Sequence, residues 1–151
     1  MTERMMGEFR VRVQTFGELT TRQLYEILKA RAAIFVVEQN CHYQDMDDID
    51  FRATHVALWC DGQIVGYSRV FKDEEPEAWH IGRVLTTQRN KHYGLRVMQE
   101  AIKVAENLGA RWIKIEAQSY AIGFYEKVGF QVCSDEFLID GILHKRMRLQ
   151  F

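Results

Sequence analysis

The chain has 151 residues, 47% hydrophobic and 27% charged, with 20 Lys and Arg against 21 Asp and Glu for a formal net charge of -1. A chain of this length buries roughly 70% of its unfolded surface and holds a core without metal or disulfide staples, so one globular domain over residues 1–151 is expected. Basic residues are scattered from Arg4 to Arg148 and give no electrostatic footprint for a nucleic-acid backbone.

Met1 to Arg10 carries Glu3, Arg4, Glu8 and Arg10 without an apolar stretch, so it does not read as a signal peptide. The longest apolar run, Ala32 to Val37, is too short to span a bilayer, and no membrane association is expected. The cysteines, Cys41, Cys60 and Cys133, are odd in number and form no C-x-x-C pair, which fits inert buried thiols in a reducing cytoplasm. Polar neighbours predict partial exposure for Cys41 alone. Histidines and cysteines show no metal-ligand spacing, so no metal is implied.

In chain order, Phe9 to Gln14 alternates apolar and polar residues with the period of a half-buried strand. Thr20-x-x-Gln23 is a capping box, Leu19 and Leu24 are placed as its hydrophobic staple, and Leu24, Ile27, Leu28, Ala32 and Phe35 recur at helical spacing. His55 to Cys60 and Gln63 to Phe71 read as strands joined by Asp61-Gly62, a tight-hairpin dipeptide. Trp79 to Thr86 is a further strand, Tyr93 to Leu108 an amphipathic helix stopped by Gly109, and Arg111 to Ala117 a strand parallel and adjacent to the one before. A short helix, Ala121 to Lys127, precedes a hairpin turning at Asp140-Gly141. The class is α/β, with a mixed sheet of about six to seven strands flanked by helices. An exposed edge on the C-terminal hairpin offers a means of pairing as a homodimer.

Arg89-Asn90-Lys91-His92-Tyr93-Gly94 lies between strand and crossover helix, where unpaired N–H groups and the positive helix end suit a phosphate. Ala121 to Phe130 follows the next strand. In this order and spacing the two segments resemble the acetyl-CoA-binding motifs of the GNAT N-acetyltransferase superfamily. The family's first motif runs Arg-Gly-x-Gly-x-Gly, so Asn90 and His92 stand in place of glycines. Asparagine tolerates left-handed backbone geometry; a His92 side chain either crowds the pyrophosphate or points outward. Phe35 to Cys41, Tyr43-Gln44-Asp45, His55, Ile81 to Val84 and Asp140-Gly141-Ile142-x-His144 resemble the ElaA-type branch of the superfamily, so the likeness runs from about Leu24 to Met147.

The resemblance implies acetyl transfer from acetyl-CoA to a primary amine of a small molecule or peptide. It implies cofactor contacts at Val84, Leu85, Arg89, Asn90, Lys91, His92, Tyr93, Gly94, Gln118 and Phe124. It also implies that Tyr125 protonates the departing thiolate and that a backbone N–H near Val84 or Leu85 stabilises the oxyanion. By residue type and spacing alone, Tyr125 reads as a core aromatic near Phe124 and Phe130. Glu116 and Glu38 are candidates for the general base, ahead of His55, His80 and His144. The acidic stretch Glu38 to Asp50 contains no Lys or Arg and reads either as a negative field that attracts a cationic amine or as a solvated loop. Asp45-x-Asp47 opens like an EF-hand but lacks the later ligands. A GNAT-like CoA-binding or protein-interaction module without catalysis is the alternative. Rossmann and P-loop glycine patterns are absent.

Overall fold

The computed structural model describes residues 1–6, 9–89 and 91–151. They form one mixed sheet with helices on both faces. The strands are β1 (Thr2–Met6), β2 (Phe9–Thr15), β3 (Thr54–Cys60), β4 (Gln63–Lys72), β5 (Ala78–Thr86), β6 (Trp112–Gln118), β7 (Gln131–Val132), β8 (Phe137–Ile139) and β9 (Ile142–Gln150). Their order is β1-β2-β3-β4-β5-β6-β9-β7, with β8 also on β9. The class agrees with expectation, but nine strands among the described residues exceed the expected six to seven. The additions are β1 and β7. All five residues of β1 are polar or methionine, and those described are exposed, so it carries no core-facing alternation to read.

Both predicted hairpins form on their turn dipeptides. Asp61 and Gly62 have φ of 51° and 77°, and Asp140 and Gly141 have 49° and 78°, the double left-handed pattern that matches strand twist. Helix α1 (Thr21–Arg31) starts at the Thr20 capping box, where the Gln23 amide donates to Thr20 Oγ1 at 3.1 Å and the Thr20 amide to Gln23 Oε1 at 3.0 Å. It runs on into a π-helical segment, Ala32–Glu38, which contains the Phe35 end of the expected helix. Helix α2 (Tyr93–Asn107) is the crossover between β5 and β6, and α3 (Ile122–Lys127) is the short helix expected after β6. None of the helices among the described residues is long and apolar enough to cross a membrane.

The core has two parts, one on each face of the sheet. Val97, Met98, Ala101 and Ala105 of α2 pack with Val56, Leu58, Val70, Ile81, Ile113, Ile115 and Met147. On the opposite face Ile27 and Ala30 of α1 cover Ala57, Trp59, Ile64, Tyr67 and Leu85. Strand β9 lies between β6 and the two short strands, so the C-terminal edge consists only of β7 and β8. Short edge strands limit edge-to-edge association. Cys133 is exposed and Cys60 half-buried, against the expectation of buried thiols, whereas Cys41, expected to be partly exposed, is buried.

One irregularity in this sheet makes the site. Strands β5 and β6 pair in parallel only over Ala78–Trp112, Trp79–Ile113 and His80–Lys114. Beyond that point β6 stays with β9 as far as Gln118–His144, while β5 stays with β4 through a bulge. Tyr67 pairs with Leu85 and Arg69 with Gly82, so Arg83 and Val84 stand opposite the single residue Ser68. A bulge bends its strand and sharpens the local twist. The two strands therefore splay and leave a cleft between them.

Candidate active site

The cleft has a volume of about 730 Å³, and its opposite walls are Ile81 to Thr86 of β5 with the following Thr87, and Ile115, Glu116 and Gln118 of β6. The π-helical segment and the β8–β9 turn close one side, through Phe35, Glu38, Gln39, Cys41, Asp140 and His144, and Tyr120 and Tyr125 line the other. The closure is pinned by polar contacts. Gln39 and Gln118 exchange side-chain amide hydrogen bonds at 3.3 and 3.2 Å, and the Cys41 thiol donates to Asp140 O at 3.3 Å. Glu38 forms an ion pair with Arg89 at the rim.

The proposed catalytic side chains Tyr125, Glu116 and Glu38 therefore all reach the same cleft, as do Val84, Leu85, Arg89 and Gln118. Lys91, His92, Tyr93, Gly94 and Phe124, also expected at the cofactor, do not line this cleft. Tyr93 is buried edge-on to Phe9, with ring centroids 5.5 Å apart, and only its backbone remains available. A Cβ on Gly94 would stand 3.6 Å from Phe124 and Thr86, so this glycine lies where α3 packs on the first turn of α2. Asn90 falls outside the described residues. His92 has a φ of 58°, the left-handed geometry that a glycine would supply, and the residue is exposed. The first α2 bond runs from the Arg96 amide to His92 O, so the amides before it have no intrahelical acceptor and form the donor end of the helix.

Tyr125 sits on α3 edge-on to Phe124 at 5.1 Å and to Phe130 at 6.1 Å, the aromatic surroundings its sequence suggested. Burial, aided by the nearby Tyr120, pushes its hydroxyl up to about 12. It stays protonated throughout the range in which an amine loses its proton, and so remains a hydrogen-bond donor toward the cleft.

The three histidines separate clearly. His55 is buried with Nδ1 2.7 Å from the Tyr67 hydroxyl and Nε2 3.0 Å from Asp50 O. His80 stacks on Phe71 at 4.8 Å, and burial pushes it down to about 4. Neither lines the cleft. His144 does; its Nδ1–H donates to Ile142 O at 2.7 Å, which leaves Nε2 as the acceptor, and its ring stacks on Phe137.

The acidic stretch is neither a free negative field nor a solvated loop. Arg31 Nε bonds Asp45 Oδ2 at 3.0 Å, and Arg31 Nη1 bonds Asp50 Oδ1 at 2.6 Å. Arg69 reaches Asp50 at 3.1 Å and holds both Asp47 oxygens at 2.7 and 2.6 Å. Arg83 Nε bonds Asp45 Oδ1 at 2.8 Å, and its Nη2 lies 3.4 Å from Asp47. Three guanidinium groups and three carboxylates thus alternate in a closed ring, with Arg31 fully buried. The cations come from α1, β4 and β5, far from the carboxylates in sequence, which is why the local charge count missed them. Burial raises the Asp47 carboxyl, but Arg69 and then Arg83 outweigh it and hold the group down at about 2.

Other cleft residues had no role assigned from sequence: Tyr43, Arg83, Gln39, Tyr120 and Asp140. Tyr43, Arg83, Gln39 and Asp140 did belong to matched segments, but a linear pattern gives no direction to a side chain.

A mixed sheet opened between two parallel strands, with a helix N-terminus beside the opening, is the architecture of the GNAT acyltransferase fold. Sequence and structure comparisons agree: the acetyltransferase (GNAT) domain family matches residues 20–151, and the chain belongs to that family. It is 36% identical to a UPF0039 protein of Schizosaccharomyces pombe over 140 residues, covering 89% of this chain and 93% of the relative. Protein ElaA of Escherichia coli is 34% identical over 137 residues, 85% of this chain and 88% of the relative. The ElaA crystal structure superposes with a TM-score of 0.86 at 31% identity, covering 93% of this chain and 99% of ElaA. An acyl-CoA N-acyltransferase from Pseudomonas aeruginosa gives the same TM-score and identity over 92% of this chain and 98% of that one.

Proposed function

We propose that the chain, acting as a single catalytic domain over residues 1–151 in the cytoplasm, is an acetyl-CoA-dependent N-acetyltransferase that carries acetyl directly to a primary amine. The observation that carries this reading is the convergence of Tyr125, Glu116 and the Arg83–Val84 bulge on one cleft beside the N-terminus of α2. The relative from P. aeruginosa, described as acting with acyl-CoA, supports it further.

Acetyl-CoA, as substrate, would bring an activated thioester carbonyl. The α2 amides and Arg89 suit its diphosphate, and Gln118 its amide-bearing arm. A backbone amide near Val84 or Leu85, on the bulged strand, suits the negative charge that develops on the carbonyl oxygen. Tyr125 donates its hydroxyl proton toward the departing sulfur. Glu116 is the preferred acceptor of the amine proton, because it has no ion-pair partner among the described residues whereas Glu38 is engaged by Arg89. The alternative of a module without catalysis rested on the replaced glycines, and His92 already holds the geometry required of a glycine.

Thermal unfolding with acetyl-CoA, CoA and ATP is the first test. A ligand at about a hundred times its Kd stabilises the native state by roughly 2.7 kcal/mol, which raises the midpoint by about 5 to 10 °C. Shifts with acetyl-CoA and CoA but not ATP are expected, followed by thiol release with members of an amine panel. Tyr125→Phe is expected to lower turnover at least several-fold and to keep acetyl-CoA binding. Full turnover in that variant removes Tyr125 from the mechanism.

A further inference from the structure

Arg83 occupies a position that is costly for any residue with a side chain. Its φ is 52° in the middle of a strand, at the first position of a bulge where glycine is the usual occupant. The arginine is held there by more than the backbone. Its Nε donates to Asp45 Oδ1 at 2.8 Å, its Nη2 to Asp45 O at 3.0 Å and Asp47 Oδ2 at 3.4 Å, and its guanidinium lies 5.4 Å from the centre of the Tyr43 ring.

Asp45 is itself fixed from the far side. Its carboxylate also accepts from Tyr43 Oη at 2.7 Å and from Arg31 Nε at 3.0 Å, and its carbonyl accepts from Arg31 Nη2 at 3.1 Å. The other strand of the bulge is held by the same ring, because Arg69, whose register partner is Gly82, grips Asp47 with two bonds. The ring therefore takes hold of β4 and β5 on either side of the register break and ties both to the last residue of α1.

We infer that Arg83 is a positioning residue for acetyl transfer: anchored by Asp45 and Asp47, it fixes the bulge so that the Val84 and Leu85 amides are held in the orientation that receives the oxyanion. This rests on the acetyl-transfer reading above. Residues that hold hydrogen-bond donors in place before charge develops lower the barrier without tightening ground-state binding. The signature is consequently in kcat. The diphosphate site at α2 lies on separate elements and is left intact.

The test compares Arg83→Met with Asp50→Asn. Asp50 bonds Arg31 and Arg69 but not Arg83; with it neutralised Arg69 keeps both bonds to Asp47 and Arg83 its bonds to Asp45, so the fold weakens while the Arg83 anchor stays. Arg83→Met is expected to lower kcat at least ten-fold with the Kd for CoA changed less than three-fold. Asp50→Asn is expected to lower the unfolding midpoint and to keep kcat within about two-fold below that midpoint. Unchanged kcat in Arg83→Met, or kcat falling in both variants in proportion to lost stability, overturns the inference.

If the wild-type protein transfers acetyl to no amine, the functional reading fails, and the structural claim is read separately by amide hydrogen exchange. Faster exchange at Val84 and Leu85 in Arg83→Met but not in Asp50→Asn supports the anchor. Equal exchange in the two variants removes it.

Discussion

Two carboxylate–guanidinium assemblies border the cleft, and they share chemistry but not physics. The ring of Arg31, Arg69, Arg83, Asp45, Asp47 and Asp50 is closed and largely buried, whereas Glu38 and Arg89 form a single pair whose side chains are 43% and 83% exposed. In the ring every charge has two opposite neighbours and most of the groups are shielded from water, so removing one member strands the others in a poorly solvated place. At the rim water replaces either partner at little cost. The comparison teaches that a salt bridge is a girder or a latch according to its connectivity and burial.

The strongest way to break this contrast is Arg31→Met, which leaves Asp45 and Asp50 without their buried counter-charge. Loss of one partner from a buried pair costs about 3–5 kcal/mol, and for a chain of this size the melting midpoint falls by roughly 10 °C. A loss under about 1 kcal/mol in a denaturant titration would mean that the ring is as replaceable as the rim pair.

Acid sharpens the difference next. The Asp47 carboxyl is held at about 2 against an ordinary 3.8, and Asp50 is lowered too, because bonds and charges from Arg69 and Arg31 overcome the upward push of burial. Both groups bind protons more weakly in the folded state. The stability that Asp47 contributes is complete above its ordinary value and is lost as the pH falls through about 2, and that of Asp50 is likewise lost toward acid. Denaturation midpoints of the wild type and Asp47→Asn should differ at about pH 5 and converge toward about pH 2; a gap independent of pH would assign the effect to packing.

The smallest effect belongs to the latch. Glu38→Gln is expected to change stability by roughly 0.2–1 kcal/mol at most, an effect that salt screens away. It also releases Arg89, so acetyl-CoA should bind up to several-fold more tightly in calorimetry. Weaker binding in this variant would show that Glu38 positions Arg89 and does not occupy it.

What the sequence made legible was local. Asp61-Gly62 and Asp140-Gly141 announce their turns because the required positive φ angles are properties of those residues themselves. The Thr20 capping box and the α2 stripe are equally self-contained. Strand β1 escaped notice because it is an edge strand, with Glu3 paired to Arg12 and Arg10 and no apolar face to betray it. The ring was illegible because its order depends on Asp45, Asp47 and Asp50 meeting cations 14 to 38 positions away in the chain. His144 and His55 look alike in sequence; only the splay of β5 from β6 separates a histidine at the cleft from one in the core.

Cys41 lies buried on the cleft wall, while Cys133 is exposed and takes no part in that wall. The chain thereby carries its own occupancy gauge with an internal reference. With the half-buried Cys60 replaced by serine, a thiol-directed reagent is expected to read the filling of the cleft from the slow Cys41 and to normalise to the fast Cys133, so that ligands are ranked by protection with no acceptor yet in hand.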